Sequence, residues 1–463
     1  MPVFFLAMDA PKINSRRRTM PKEDKTIVKY APPARNLPVY RQVDPEEVSF
    51  IGRTNYEASF ESDKFIFGIK RKDRKKLLYI VGKTGVGKSK LIELLMRQDI
   101  TYGYGCCLID PYGNVIDEIL KFIPEDRAHD VVVIDPSDTA WPVSFNPFER
   151  VADELKQHMA REIIEIMRCQ FGAHWNLRLE HIVRFSVLAL LEYPGATLSD
   201  IVSLLTDPEY REKIMLQVTD GTIRKFFTSE FSEWVKKYDA DAVMPVVNRM
   251  RQFLSVPAMY HIFSRRENSI DFSEIIEKRK ILLINLSKDT LGDENAIFFG
   301  SLLIAKIRHA GMTRAHFPEE EKEDFYFYAD EFNSLATESF AHLLTEGKRY
   351  GFNIAIAHQY MAQLSPKMCA TVLGNMGHLI VFRVGGDDAV RLEPEMAPVF
   401  KARDMINLAK QEFYIKETID GESYDPFSAN LLRVLSPRRM SAKNRIIEFS
   451  RNHYAYPLGV QAH

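Results

Sequence analysis

The chain has 463 residues, 46% of them hydrophobic and 27% charged, with 62 Lys plus Arg against 63 Asp plus Glu. That length supports several domains with sizeable cores and excludes a disordered chain or a small disulfide-stapled scaffold. A net charge of -1 excludes a globally basic nucleic-acid binder, so contact with a polyanion would need local basic patches.

In chain order, Val3 to Met8 is an apolar stretch far too short to span a bilayer, and no charged segment precedes it. No later apolar run reaches membrane length. The expected location is therefore cytoplasmic, with any association with the inner membrane supplied by partners. Residues 11–35 carry eight Lys or Arg, followed by prolines such as Pro32, Pro33 and Pro38. Residues 1–50 read as an extended basic arm, either merely solvated or touching nucleic acid. A second basic run, Lys70 to Lys76, precedes an apolar strand and reads as a solvated loop or a phosphate-gripping segment. Four cysteines, Cys106, Cys107, Cys169 and Cys369, form no metal-ligand spacing and fit a reducing compartment.

Within residues 51–150, Leu77 to Val81, Cys106 to Ile109 and Val131 to Ile134 are short buried-strand runs. The last two end in Asp110-Pro111 and Asp135-Pro136, which are loop or helix-start signals. Short apolar strands separated by helices indicate an α/β fold with a mostly parallel sheet. Residues 151–270 change character. Leu155, Met159, Ile163 and Ile166 recur at helical spacing, as do Leu179, Ile182, Ser186 and Leu190. Asp207-Pro208 and Asp220-Gly221 punctuate the stretch, which reads as an all-α inserted domain. Strand runs return over 271–440 at Ile281 to Leu286, Phe325 to Ala329, Asn353 to Ala357 and Leu379 to Val384. Residues 441–463 read as a C-terminal tail.

The sharpest signal is Gly82-Lys83-Thr84-Gly85-Val86-Gly87-Lys88-Ser89, a complete G-x-x-x-x-G-K-S between a strand and a helix. Its glycines let backbone N–H groups wrap phosphate oxygens at a helix N-terminus. Lys88 would neutralise the β- and γ-phosphates of ATP, and the Ser89 hydroxyl would ligate Mg²⁺. Asp330-Glu331 ends another apolar strand. Asp330 would hold the magnesium ion through its water shell, and Glu331 would deprotonate the attacking water, marking an ATPase. Gln359, closing Asn353 to Gln359, suits a γ-phosphate sensor. His358 beside it reads equally as a packing residue. Arg349, near the Gly351 helix stop, fits either compensation of a helix dipole or an arginine finger reaching a neighbouring subunit. Arg383 is a second finger candidate, and spacing alone does not choose.

With these residues, the chain resembles the VirD4/TraD/TraG-type conjugative coupling proteins, within the wider VirB4 and HerA–FtsK group of P-loop motor ATPases. The resemblance covers about residues 65–430. It rests on the P-loop, Asp330-Glu331, Lys348-Arg349-Tyr350-Gly351, Ala357-His358-Gln359, the run Phe382 to Asp388 and the helical insertion. It implies a RecA-like motor core divided between 51–150 and 271–440, assembled as a homo-hexamer and moving DNA through sequence-independent backbone contacts. It implies Arg349 as the finger, with Arg383 secondary. It further implies relaxosome or secretion-channel proteins as partners, with the insertion facing them; Trp175, Trp234 and Arg265-Arg266 are candidates for that contact. Membrane-anchored members begin with transmembrane helices, and the lack of one here favours a soluble relative. The alternative function is a protein-secretion or assembly ATPase of VirB4 type, acting on a protein partner.

Overall fold

Six strands lie side by side in one run: β1 (Val48–Thr54), β2 (Ile66–Lys70), β3 (Leu77–Val81), β9 (Met376–Val381), β10 (Glu412–Lys416) and β13 (Phe427–Leu431). Their order is β2-β1-β13-β10-β9-β3. Only β3 and β9 pair in parallel, with Leu78 opposite His378 and Val81 opposite Val381; the other pairings are antiparallel. The computed structural model describes residues 29–56, 64–149, 151, 153–231, 233, 243–318, 321–435 and 442–458. The apolar stretch Val3 to Met8, most of the basic arm and Trp234 lie outside these residues.

Five further strands form an all-parallel arrangement in the order β8-β7-β4-β6-β5. They are β4 (Gly105–Asp110), β5 (Val131–Ile134), β6 (Ile281–Asn285), β7 (Phe325–Ala329) and β8 (Phe352–His358). Every residue of β4, β7 and β8 is buried, which is why these strands read as continuous apolar runs rather than alternating ones. A short hairpin, β11 (Thr418–Ile419) with β12 (Glu422–Ser423), completes the strands.

Compactness divides the chain differently from its linear order. The first unit takes the described part of Met1–Gly103, Ala357–Gln363 and the described part of Met376–Met440. The second takes Tyr104–Ile356, Leu364–Asn375 and the described part of Ser441–His463. The stretch expected as a tail carries a helix, Lys443–Tyr454. Ile446 is buried on it, and its Ser450 hydroxyl accepts the Val133 N–H of β5 at 2.9 Å.

Between β5 and β6 the described residues form helices and turns, without a strand. Among them are α3 (Lys156–Phe171) and α4 (Leu177–Glu192); α1 (Lys88–Thr101) and α2 (Asn114–Phe122) precede these. The turn signals act as helix caps. The side chains of Asn176, Asp207, Asp220 and Asp271 each accept two backbone N–H groups at the start of a helix. Phe185 stacks on Phe226 at 4.5 Å within the insertion. Phe253 stacks on Phe298 of the helix Asp293–Met312 at 4.3 Å. Trp175 donates to Glu180 at 3.2 Å, and Arg265 lies 3.4 Å from the Tyr456 ring, so both have contacts inside their own unit.

The run Lys70 to Lys76 is not the solvated loop expected of it. Arg71 and Arg74 are buried, and their Nη1 atoms lie 2.5 and 2.9 Å from Oδ1 of the buried Asp99 on α1. Lys70 and Lys72 hold Asp420 at 2.7 and 2.8 Å, and Asp73 accepts the N–H groups of Asp420 and Gly421. The run is thus an internal clamp from the β11–β12 hairpin to the P-loop helix, because matching carboxylates come from remote segments. Removing the anion from two buried guanidinium groups is costly. Asp99→Asn is expected to lose about 3 kcal/mol of stability, whereas exposed Lys72→Ala leaves the urea midpoint essentially unchanged, both read by urea denaturation.

Candidate nucleotide site

The loop Gly82 to Gly87 joins the buried strand β3 to α1. Gly85 and Gly87 adopt φ of +77° and +134°, values that side-chain-bearing residues rarely take. A methyl group at Gly82 would lie 2.7 Å from Cβ of Phe382, whereas one at Gly85 would meet nothing within 4 Å. The loop is therefore tight against the protein at its start and open at its turn. Lys88 is buried and curls back, donating to the carbonyls of Gly82 at 2.7 Å and Lys83 at 3.1 Å. No acidic residue occupies the first turn of α1, so the positive end of its dipole is not offset there by a carboxylate. Lys83 and Thr84 are exposed, Val86 is buried and Ser89 is half-buried.

Two segments brace this loop. Lys83 donates its N–H to the Arg383 carbonyl at 2.8 Å, and Gln411 donates to the Val86 carbonyl at 2.9 Å. The Arg383 side chain itself is exposed. At the end of β8, the His358 carbonyl accepts the Gly82 N–H at 3.4 Å, so Gln359 follows directly beside the loop. His358 is fully buried. Its Nε2 lies 2.6 Å from the Tyr79 hydroxyl, and the two rings stack at 5.4 Å. Burial pushes its pKa down to about 4, against a side-chain hydrogen bond with Gln363 that favours the protonated ring and with help from the Lys88 charge. His358 is a neutral packing residue beneath the loop. Asp388, buried near the start of the helix Gly386–Met396, accepts the Met361 N–H at 3.0 Å and so fixes the turn after Gln359. Neither Asp388 nor Tyr79 was legible as a site residue, since only the folded chain brings them to this turn.

The remaining candidates belong to the second unit. Asp330 is buried at the end of β7; its N–H donates to Ile109 at 3.1 Å and its Oδ1 accepts the Glu331 N–H at 3.0 Å. Glu331 is half-buried with φ of +46°, left-handed without being glycine. That conformation costs on the order of 1 kcal/mol and recurs at functional positions. The other strand-end aspartates serve loops. Asp110 accepts N–H groups of Tyr112 and Val115, and Asp135 accepts from Ser287 and Asn285. Arg349 lies in the helical turn Gly347–Tyr350, closed by Gly351 at φ of +80°. Its side chain is exposed and makes no ion pair among the described residues.

A buried parallel strand, a glycine turn folded over its own lysine and a helix N-terminus define a P-loop nucleotide-binding protein of the RecA-like α/β class. Residues 67–397 match the family described as the type IV secretion-system coupling protein DNA-binding domain, and the chain belongs to that family. The fold is similar to that of the bacterial conjugative coupling protein TrwBdeltaN70 in an unbound form. The TM-score is 0.58 at 15% identity, covering 81% of this chain and 90% of that one. Plasmid coupling protein TrwB in complex with ADP and Mg²⁺ gives 0.56 at 17% identity, with 81% and 90% covered. VirB4 of Thermoanaerobacter pseudethanolicus gives 0.55 at 12% identity, with 80% and 93% covered. A comparison with curated proteins finds no match.

A histidine with a depressed folded pKa takes up its proton more readily when unfolded, so the stability it contributes is present near neutral pH and lost as pH falls. Relative to His358→Gln, the native chain is expected to lose up to about 1.4 kcal/mol per pH unit between pH 6.5 and 4. Denaturation of both chains at stepped pH reads the difference; parallel pH profiles would contradict a neutral His358.

Proposed function

We propose that the chain is a Mg²⁺-dependent ATPase that assembles as a homo-hexameric ring and moves DNA. The observation carrying this reading is the braced P-loop, with Lys88 folded inside it and open space at Gly85. Gly82 to Ser89 would cradle the phosphates through backbone N–H groups, with Lys88 supplying the positive charge. The oxygen donors Ser89 and Asp330 suit Mg²⁺, which takes one or two carboxylates together with substrate phosphates. The ion would neutralise phosphate charge.

Glu331 would orient and deprotonate water, and Gln359 would report the γ-phosphate. Arg349 would act in trans on the next subunit, with Arg383 as the secondary candidate. Family membership supports DNA as the partner, gripped at the backbone without base reading. Relaxosome or secretion-channel proteins would join it, the motor working in the cytoplasm and meeting the inner membrane through them. No helix among the described residues is long and apolar enough to cross a membrane. Fold likeness to VirB4 supports a second reading, a secretion or assembly ATPase acting on protein.

Glu331→Gln is expected to lower kcat about 100-fold or more while nucleotide binding persists. Hydrolysis measured with and without duplex and single-stranded DNA at low salt separates the two readings. Stimulation supports the DNA motor; no binding and no stimulation by either DNA would leave the protein-directed ATPase.

A further inference from the structure

Arg308 lies on the helix Asp293–Met312 and is buried. Its guanidinium holds two carboxylates from different helices. Nη1 pairs with Glu162 of α3, in the helical insertion, and Nη2 lies 3.0 Å from Glu346. Glu346 ends the helix Glu338–Glu346 and also accepts the Tyr350 hydroxyl at 2.8 Å. Tyr350 directly follows Arg349.

The backbone at Arg349 and at the residue after it is held as well. Lys322 donates to the Arg349 carbonyl at 2.9 Å, and Arg314 donates to the Tyr350 carbonyl at 3.0 Å. The second nitrogen of Arg314 donates to the Glu323 carbonyl at 2.6 Å, fixing Arg314 in turn. A rigid base therefore carries an exposed arginine with no ion pair among the described residues. Burial pushes the Glu162 carboxyl up to about 7, against the pull of Arg308. Burial also opposes ionisation of Glu346, yet hydrogen bonds from Tyr350 and Arg308 hold it below the usual carboxylate range. A buried ion network of this kind is a poor device for stability, because apolar packing of the same volume does as well; its geometric value is that it fixes one arrangement.

We propose that Glu162, Arg308, Glu346 and Tyr350 form a relay of positioning residues that sets Arg349 and couples the helical insertion to ATP hydrolysis at the neighbouring subunit's P-loop. This rests on the reading of Arg349 as a trans-acting finger. A partner that shifts α3 changes how Arg308 divides between its two carboxylates. That moves the residue on which the Tyr350 turn is anchored, and the finger with it. The insertion thereby senses cargo or channel contact and reports it as a change in turnover.

The test is a double-mutant cycle on the full chain. Glu162→Gln and Tyr350→Phe are made in the native and Arg349→Ala backgrounds, with kcat, affinity for a fluorescent ATP analogue and Tm measured for each. Tyr350→Phe removes a single hydroxyl and guards against a folding failure of the other variant. The expected result is a loss in kcat of about tenfold or more for each, with unchanged nucleotide affinity and no further loss in the Arg349→Ala background. Native kcat in both variants, or losses that persist in full beside Arg349→Ala, would overturn the relay. Native turnover in Arg349→Ala alone would instead remove the finger reading, and the relay with it.

Discussion

Phe382 against Gly82 is the contact on which the first unit depends. A loop that offers backbone N–H groups to a polyanion must bend sharply, and it must also be held, since a floppy cradle binds weakly. Parallel pairing of β3 with β9 carries Phe382 onto Gly82 and the Arg383 carbonyl onto the Lys83 N–H. The antiparallel strands β10, β13 and β1 then support β9 in sequence. On the other side of the loop, Asp99 anchors α1 to Arg71 and Arg74. Loop and helix are thus fixed independently, and the phosphate-facing turn at Gly85 is left open.

Much of this could be read from residues alone, for identifiable reasons. Strands β3, β4 and β7 are buried throughout, so their apolar runs are plain. Asp207 and Asp220 announce helix starts because capping is a local matter of two or three residues. Charge is not local. The run Lys70 to Lys76 looked solvated because its anions, Asp99 and Asp420, lie far along the chain. Strand β13, Phe-Ser-Ala-Asn-Leu, has a composition with no clear period and is not legible in the sequence, and neither are β1 and β10. His358 is ambiguous in the sequence because its partner, Tyr79, is remote along the chain. The Glu162–Arg308–Glu346 network joins three helices whose spacing gives no hint of their meeting.

Glu331 breaks a local rule where the rest of its strand obeys every one. Five buried residues lead into Asp330, and the next residue turns left-handed without being glycine. Ser334 bonds the Glu331 carbonyl through both its N–H and its hydroxyl, holding the strained turn in place. Strain retained at a strand end beside a buried carboxylate marks Glu331 as a position fixed by its surroundings rather than by its own backbone preference.

The sheet of the first unit also imposes a schedule. Gly52 on β1 pairs with Leu431 on β13, about 380 residues later. At ribosomal rates of roughly 5–20 residues per second, β1 would emerge about 20 to 75 s before its partner. During that time one edge of the β1–β2 ribbon is an unpaired strand, the kind of surface on which nascent chains aggregate. The polar and charged side chains at Ser49, Arg53 and Thr54 then act as temporary protection. Completion of the first unit's sheet is thereby deferred until Leu431 has been made.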